Sequence, residues 1–343
     1  MGVILPRSGS PDLAQYGDLV RQGIELAVAE YTRAGGPAIE LVVLDDAGDV
    51  RRASQQVAQL DSAGAVAILG PLMSQAMDAA VASRSDRDLV ILSPTASTPP
   101  VSASHAYSLN ADDTRGAEVL ARHAIGRGWT RLAVLYPTTP EGAIQARSFA
   151  TEARKTDGAV VLELPFDPAT TTFAGPMNRI LAARAQAVFV PATERDIRQI
   201  APQFAYYGLT GIQVLGNDAW VSDEVLRTVQ PNLLEGVIAT TPLLPDSPGT
   251  GWADFVGLYE RTHRRSLDNP YPALGFDAAG VILAAIAAGN IRRADLADAV
   301  NGTSGFRGAT GILSFRDGRV TREPFLVRVQ AGRLTPLTGA GGA

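Results

Sequence analysis

Cysteine is absent from the 343-residue chain, which excludes thiol nucleophiles, disulfides, thiolate zinc sites and iron–sulfur clusters. Lysine is nearly absent: Lys155 stands alone, so 29 of the 30 basic residues are arginine. No P-loop of the form Gly-x-x-x-x-Gly-Lys-Ser/Thr can therefore be built, and a Schiff base would have to use Lys155, in a polar helix end. Histidine is limited to His105, His123 and His263, far apart in sequence, and neither His-Glu-x-x-His nor Gly-x-Ser-x-Gly occurs. Asp45-Asp46-Ala47-Gly48-Asp49 lacks the spacing of a calcium loop and reads as a turn. Neither catalysis, nor a metal, nor a cofactor is expected. A surplus of one charge is missing too. The 30 basic and 35 acidic residues leave a net charge of −5, with no basic run to track phosphates, so nucleic acid is not expected as a partner. The longest uncharged apolar stretch, 278–289, is shorter than the roughly 20 residues that cross a bilayer.

What is present is a folded protein: 46% of the residues are hydrophobic, and the length predicts two domains at roughly 100–200 residues each. Short runs rich in Val, Ile and Leu alternate with amphipathic stretches. Strands are expected at 3–5, 39–44, 65–69 and 89–92, with helices at 13–31, 50–60 and 74–83 between them. The pattern restarts with helix 113–126, strand 132–136, helix 143–156, strand 160–164, a helix around Met177 and Ile180, strand 187–190, helix 196–206, and strands 212–215 and 236–240. Helices at 252–264, 273–288 and 293–300 follow, then strands at 311–315, 324–329 and 333–337, with Asp317-Gly318 as a turn. Apolar runs of this length suit strands covered on both faces, and the βαβ alternation implies doubly wound parallel sheets. Ligands of such sheets sit beyond the carboxyl ends of the strands, so the loops there carry the functional reading.

Three of those loops are rich in hydroxyls: Arg7 to Pro11 with Tyr16 in the following helix, Gly70-Pro71-Leu72-Met73-Ser74, and Ser93-Pro94-Thr95-Ala96-Ser97-Thr98. Hydroxyls and N–H groups at helix starts suit a small anion such as a carboxylate, against the alternative of plain helix capping. The second set of strands carries Pro137-Thr138-Thr139-Pro140 and Gly216-Asn217-Asp218-Ala219-Trp220, an acid beside an aromatic. A carboxylate there could meet the ammonium group of a zwitterion, or Asp218 could be a helix cap. Trp129 and Trp252 read as packing residues, and Trp220 as the tryptophan at the site.

Taken in order, these segments resemble the type I periplasmic binding proteins of ABC transporters, in the branch of the leucine/isoleucine/valine-binding proteins. The matching stretches are Gln15-Tyr16-Gly17-Asp18, Leu44 to Asp49, Ile68 to Ser74, Ser93 to Ser97, Val214 to Asp218, Gly275-Phe276-Asp277-Ala278 and Phe306 to Gly311. The resemblance implies two Rossmann-like lobes joined by a multi-crossing hinge, a Venus-flytrap: 1–113 with 242–312, and 114–241 with 313–338, leaving 339–343 as a disordered tail. It implies that Ser74, Thr95, Ala96 and Ser97 hold a ligand carboxylate, with Tyr16 beside it, Phe276 on the pocket wall and Asp218 near the amino group. Thr139 stands where the family often has a tyrosine that closes over amino acids, which argues against a standard aliphatic one. The expectation is a monomeric, extracytoplasmic solute-binding protein that closes on a small carboxylate-bearing molecule, an amino acid or a related organic or aromatic acid, and delivers it to an ABC permease. Because the chain starts directly in a strand, a signal or lipid anchor ahead of it is an open expectation. The alternative is a regulatory lipoprotein-type module resembling the activators of penicillin-binding proteins, which acts through a protein partner. A receptor ectodomain or amide sensor is a variant of that reading, and an enzyme fits the residue inventory least.

Overall fold

A computed structural model describes residues 1–96, 105–109, 114–155, 159–242, 244, 250–316 and 319–337; Ser97, the Asp317-Gly318 turn and the tail 339–343 lie outside them. The chain divides into two compact units, Met1–Asp112 with Pro245–Arg322, and Asp113–Leu244 with Glu323–Ala343. In the first unit β1 (Gly2–Leu5), α1 (Pro11–Arg33), β2 (Val42–Asp45), α2 (Val50–Ser62), β3 (Ala67–Leu69), α3 (Ser74–Ser83) and β4 (Val90–Ser93) alternate as expected, and an unexpected β5 (Ala106–Ser108) follows. The second unit holds α4 (Thr114–Gly126), β6 (Arg131–Pro137), α5 (Pro140–Lys155), β7 (Ala159–Phe166), α6 (Ala174–Ala182), β8 (Ala187–Val190), α7 (Glu194–Tyr206) and β9 (Gln213–Gly216). A 3-10 turn (Asp218–Val221), α8 (Asp223–Thr228), α9 (Pro231–Leu234) and β10 (Ile238–Thr241) follow. The chain returns to the first unit for α10 (Trp252–His263), α11 (Tyr271–Ala287), α12 (Arg293–Asn301), β11 (Phe306–Gly308), β12 (Gly311–Arg316) and β13 (Arg319–Arg322), and ends in the second with β14 (Phe325–Gln330) and β15 (Arg333–Pro336).

The first unit's parallel sheet runs β2-β1-β3-β4-β5. Its strands are apolar on both sides because both faces are covered. Val3, Leu5, Leu69 and Leu92 pack with Val20 and Ile24 of α1 and with Ile282 of α11, while Ile4, Ile68 and Ile91 meet Val57 of α2 and Met77 of α3. The second unit's sheet runs β15-β14-β10-β9-β8-β6-β7, parallel except at β14 and β15. Helix starts follow local chemistry. Ser10 accepts from the Leu13 N–H ahead of Pro11, Asp49 caps α2, and Thr193 with Asp196 forms a capping box on α7.

Segment 313–322, expected in the second lobe, belongs to the first unit. There β12 pairs with β11 and β13 in an antiparallel sheet, and Leu313, Phe315 and Val320 enter the first unit's core, Phe315 edge-on to Tyr107 at 5.1 Å. The strands β5 and β11 give no signal in the sequence because each is three residues long with one large apolar side chain.

Helices α1 and α11 lie unusually close. A Cβ on Gly23 would come to 1.8 Å from the Pro272 carbonyl oxygen, and one on Gly275 to 2.2 Å from that of Val20, so the crossing requires glycine on both helices. The next segment of α11 is fastened by charge. Asp277, fully buried, accepts the N–H groups of Ala309 (2.6 Å) and Thr310 (2.8 Å) and the Thr310 hydroxyl (2.5 Å). Two of the sequence segments named above are thereby one structural device: Gly308 carries no side chain because a Cβ there would sit 2.5 Å from the Asp277 carboxylate.

A second carboxylate anchors the far end of the sheet. Asp61, at the end of α2, is 6% exposed. It accepts from the Ser85 N–H and hydroxyl at 2.6 and 2.7 Å and from the Asp86 N–H, and pairs with Arg293 at 2.6 Å. Burial alone would raise its carboxyl, but the Ser85 and Asp86 donors and Arg293 outweigh this and hold it at about 2. A folded-state value below the unfolded 3.8 means that the stabilisation is complete above about pH 4 and is lost as the pH falls toward 2. Asp61→Asn should therefore cost about 2 kcal/mol at neutral pH and little by pH 2. Urea unfolding followed across pH 2–7 checks this, and a pH-independent difference between variant and parent would refute it.

Candidate functional site

Both parallel sheets have the same inner order. In the first it is β2-β1-β3-β4-β5 and in the second β7-β6-β8-β9-β10, so the winding reverses between β1 and β3 and again between β6 and β8. Ligands of doubly wound sheets bind outside the carboxyl ends of the strands at such reversals. Ser74, after β3, and Thr139, after β6, fall at these reversals, and Asp218 follows the neighbouring strand β9.

In the first unit, the loop after β3 begins at Gly70, whose φ of +93° and absent side chain let it pass the Ile4 carbonyl; a Cβ would lie 2.0 Å from that oxygen. Ser74 is the first residue of α3, half-buried. The N-cap before it, Met73, supplies no side-chain hydrogen bond, so α3 starts without the usual polar cap and keeps its favourable end for negative charge. The loop after β4 is tied to this one. The Ser93 hydroxyl donates to the Pro71 carbonyl at 2.6 Å and the Thr95 hydroxyl to that of Leu72 at 3.1 Å. The Thr95 side chain also lies close enough to the Tyr16 side chain on α1 to act on its phenol. Burial raises the Tyr16 phenol above its ordinary value, the nearby Thr95 side chain works against this, and neighbouring Tyr271 adds to it. Tyr16, Ser74 and Thr95 are thus brought together.

Ala96 has a different task from the one expected. It is buried, its N–H donates to the Ser93 hydroxyl at 3.1 Å, and its carbonyl accepts from the Ser108 hydroxyl. Both backbone groups are used inside the loop, so Ala96 shapes the site rather than facing it. Ser93 and Ser108 do this bracing; their side chains, fully and nearly buried, differ in the sequence from any other strand-end serine by nothing but their position. Phe276 is half-buried with its ring 5.0 Å from that of Phe255, packed toward α10. Tyr271, not singled out by the sequence, is the residue whose ring meets Tyr16, at 4.7 Å and 78°.

In the second unit, Thr139 follows β6 and caps α5: its hydroxyl accepts the Gly142 N–H at 3.1 Å and its carbonyl that of Ala143. Asp218 follows β9 and keeps an exposed surface. Loss of solvent on its other sides raises its carboxyl, the Ala219 N–H partly counters this, and Glu194 at the start of α7 raises it further. Neither Asp218 nor Glu194 forms an ion pair among the described residues, so two interacting carboxylates stand uncompensated at the carboxyl edge of this sheet. Such a pair attracts a cation or ammonium group.

The expectation for Trp220 is overturned. Its side chain is fully buried in the second unit's core, and its indole N–H donates to the Val190 carbonyl at 2.8 Å. Gly216 makes room for it, since a Cβ there would lie 2.4 Å from the ring. The Gly-x-x-x-Trp spacing records this packing, with Trp220 holding the turn that presents Asp218.

Two doubly wound units with polar loops at the strand-order reversals define a binding-protein architecture, and comparison with known proteins agrees. The family model described as periplasmic binding protein matches residues 1–333. The chain belongs to this family of type I periplasmic binding proteins, as the sequence resemblance implies. A curated relative, Leu/Ile/Val-binding protein homolog 3 of Brucella melitensis, is 24% identical over 234 residues, 65% of this chain; the match spans 62% of that protein's length. A crystal structure of a protein assigned as a branched-chain amino acid ABC transporter from Rhodospirillum rubrum is 25% identical, with a TM-score of 0.87, and the match covers 98% of this chain and 99% of that one. An ABC transporter substrate-binding protein from Desulfitobacterium hafniense, solved in complex with Leu, has a TM-score of 0.74 at 22% identity, over 98% of this chain and 99% of its own.

Proposed function

We propose that this protein is an extracytoplasmic solute-binding protein that captures a small carboxylate-bearing ligand, an amino acid or a related organic or aromatic acid, and delivers it to an ABC permease. One observation carries the reading. The first unit gathers Ser74, Thr95, Tyr16 and the start of α3 at its strand-order reversal, while the second gathers the unpaired Asp218 and Glu194 at the carboxyl edge of its sheet. The one set suits a carboxylate and the other an ammonium group. Family membership supports binding as the activity. Among the described residues no helix is long and apolar enough to cross a membrane. The reading includes a closing motion of the two units on the ligand, as in hinge-closing binding proteins.

The test is the double variant Ser74→Ala, Ser97→Ala. Hydroxyl and helix-start contacts to an anion contribute about 0.5–2 kcal/mol each, so affinity for a carboxylate ligand should fall by about tenfold or more in calorimetry. Unchanged affinity removes the first unit's loops from the site.

A further inference from the structure

We infer that Tyr271 is a specificity-determining residue of the binding site, forming with Tyr16 an aromatic corner that favours ligands carrying a flat ring. This rests on the binding function proposed above and deepens it to a ligand class. The corner is a product of backbone packing. Gly23 and Gly275 let α1 and α11 approach until main chain meets main chain, which sets Tyr16 of α1 against Tyr271 at the start of α11. The ring centroids stand 4.7 Å apart with planes at 78°. Each ring is held. The Tyr16 side chain neighbours Thr95, which is bonded to the Leu72 carbonyl in the loop that leads to Ser74. Tyr271 is set by the helix start, where its N–H donates to the Asn269 side chain at 3.1 Å.

Phe276, expected from the sequence resemblance on the pocket wall, is otherwise engaged. Its ring packs on that of Phe255 at 5.0 Å, and Phe255 is 2% exposed. Tyr271, by contrast, keeps 38% of its surface accessible, the more open of the two members of the corner. Two rings near a right angle offer one face and one edge together. A planar π-system can satisfy both, lying edge-to-face on one tyrosine and offset-stacked on the other, while a saturated group gains only contact area. The same corner is linked through Thr95 to the loops that suit a carboxylate, so an aromatic acid meets both features at once.

The experiment compares pairs of equal charge and similar size: benzoate with cyclohexanecarboxylate, and phenylalanine with cyclohexylalanine, titrated by calorimetry into the full chain. The aromatic member should bind more tightly in at least one pair, by about tenfold, as expected for aromatic contacts beyond area burial. Tyr271→Phe should keep that ratio, and Tyr271→Leu should bring it close to one, with the saturated member losing little. Equal affinity within each binding pair of the parent protein overturns the inference without any variant. An unchanged ratio in Tyr271→Leu, or equal loss of both members, does so as well, because a purely structural role would weaken both alike. Failure of all four probes to bind is a different outcome: it counts against the binding function itself, and the inference falls with it.

Discussion

Replacing Asp218 by Asn should weaken the binding of an amino acid about 30-fold or more while leaving the melting temperature near that of the parent. Asp218 lies at the carboxyl end of β9, with an exposed surface and no ion-pair partner among the described residues, so its removal costs the fold little. A desolvated ammonium group, however, needs a charged partner, and truncating one member of such a pair typically costs about 2–5 kcal/mol. The sign reverses for an acid without an amino group. There the Asp218 and Glu194 charges oppose binding, and Asp218→Asn should leave affinity unchanged or improve it. The pH dependence follows the same logic. Desolvation and the nearby Glu194 charge raise the Asp218 carboxyl, and its protonated form offers nothing to an ammonium group. Affinity for an amino acid should therefore decline as the pH falls through that raised value. Titrating parent and variant with an amino acid and its deaminated analogue separates the cases. Equal affinity of both proteins for the amino acid would leave Asp218 as a turn residue.

Asp277→Ala should destabilise the protein by about 3–5 kcal/mol. Its carboxylate is fully buried and accepts three donors, the N–H groups of Ala309 and Thr310 and the Thr310 hydroxyl. Removing it leaves those groups buried without an acceptor, each a substantial cost, and also removes a negative charge acting on Arg322. Arg322 already has a buried Nε without a partner, and its other contact is a weak hydrogen bond from its guanidinium to the Leu109 carbonyl at 3.3 Å. Urea unfolding followed by circular dichroism measures the effect. A loss below about 1 kcal/mol would show that water replaces the carboxylate without strain.

The parallel strands and long helices were legible in the sequence because their chemistry is local. Runs such as Val90–Ser93, buried throughout, announce themselves, as does the start of α2 at Val50, whereas the Ser10 cap ahead of the expected start of α1 does not. The reading failed where the information is non-local. Nothing within Ala106–Ser108 says strand; it is one because β4 offers it an edge. The segment 313–322 looks like a continuation of the final strands, yet its apolar residues are taken up by the first unit's core. At the candidate site, Tyr16, Ser74 and Thr95 were visible as polar residues beyond strand ends. Trp220 was misplaced because an aromatic beside an acid has the same sequence whether it faces ligand or core, and the deciding fact is that Gly216 clears a space for it. Tyr271 was missed for the opposite reason: its neighbour Tyr16 is 255 positions away, brought close by the contact of α1 with α11.

The central claim is capture of a carboxylate. Thermal unfolding of the purified chain in the presence of matched pairs, each an amino or aromatic acid and its carboxamide, tests it most directly. A ligand that binds the folded state alone raises the melting temperature, with a shift that grows as the logarithm of its concentration over Kd. The account expects at least one acid to raise it while the matching carboxamide, equal in size and lacking the negative charge, leaves it unmoved. A carboxamide that stabilises as well as its acid would contradict the claim.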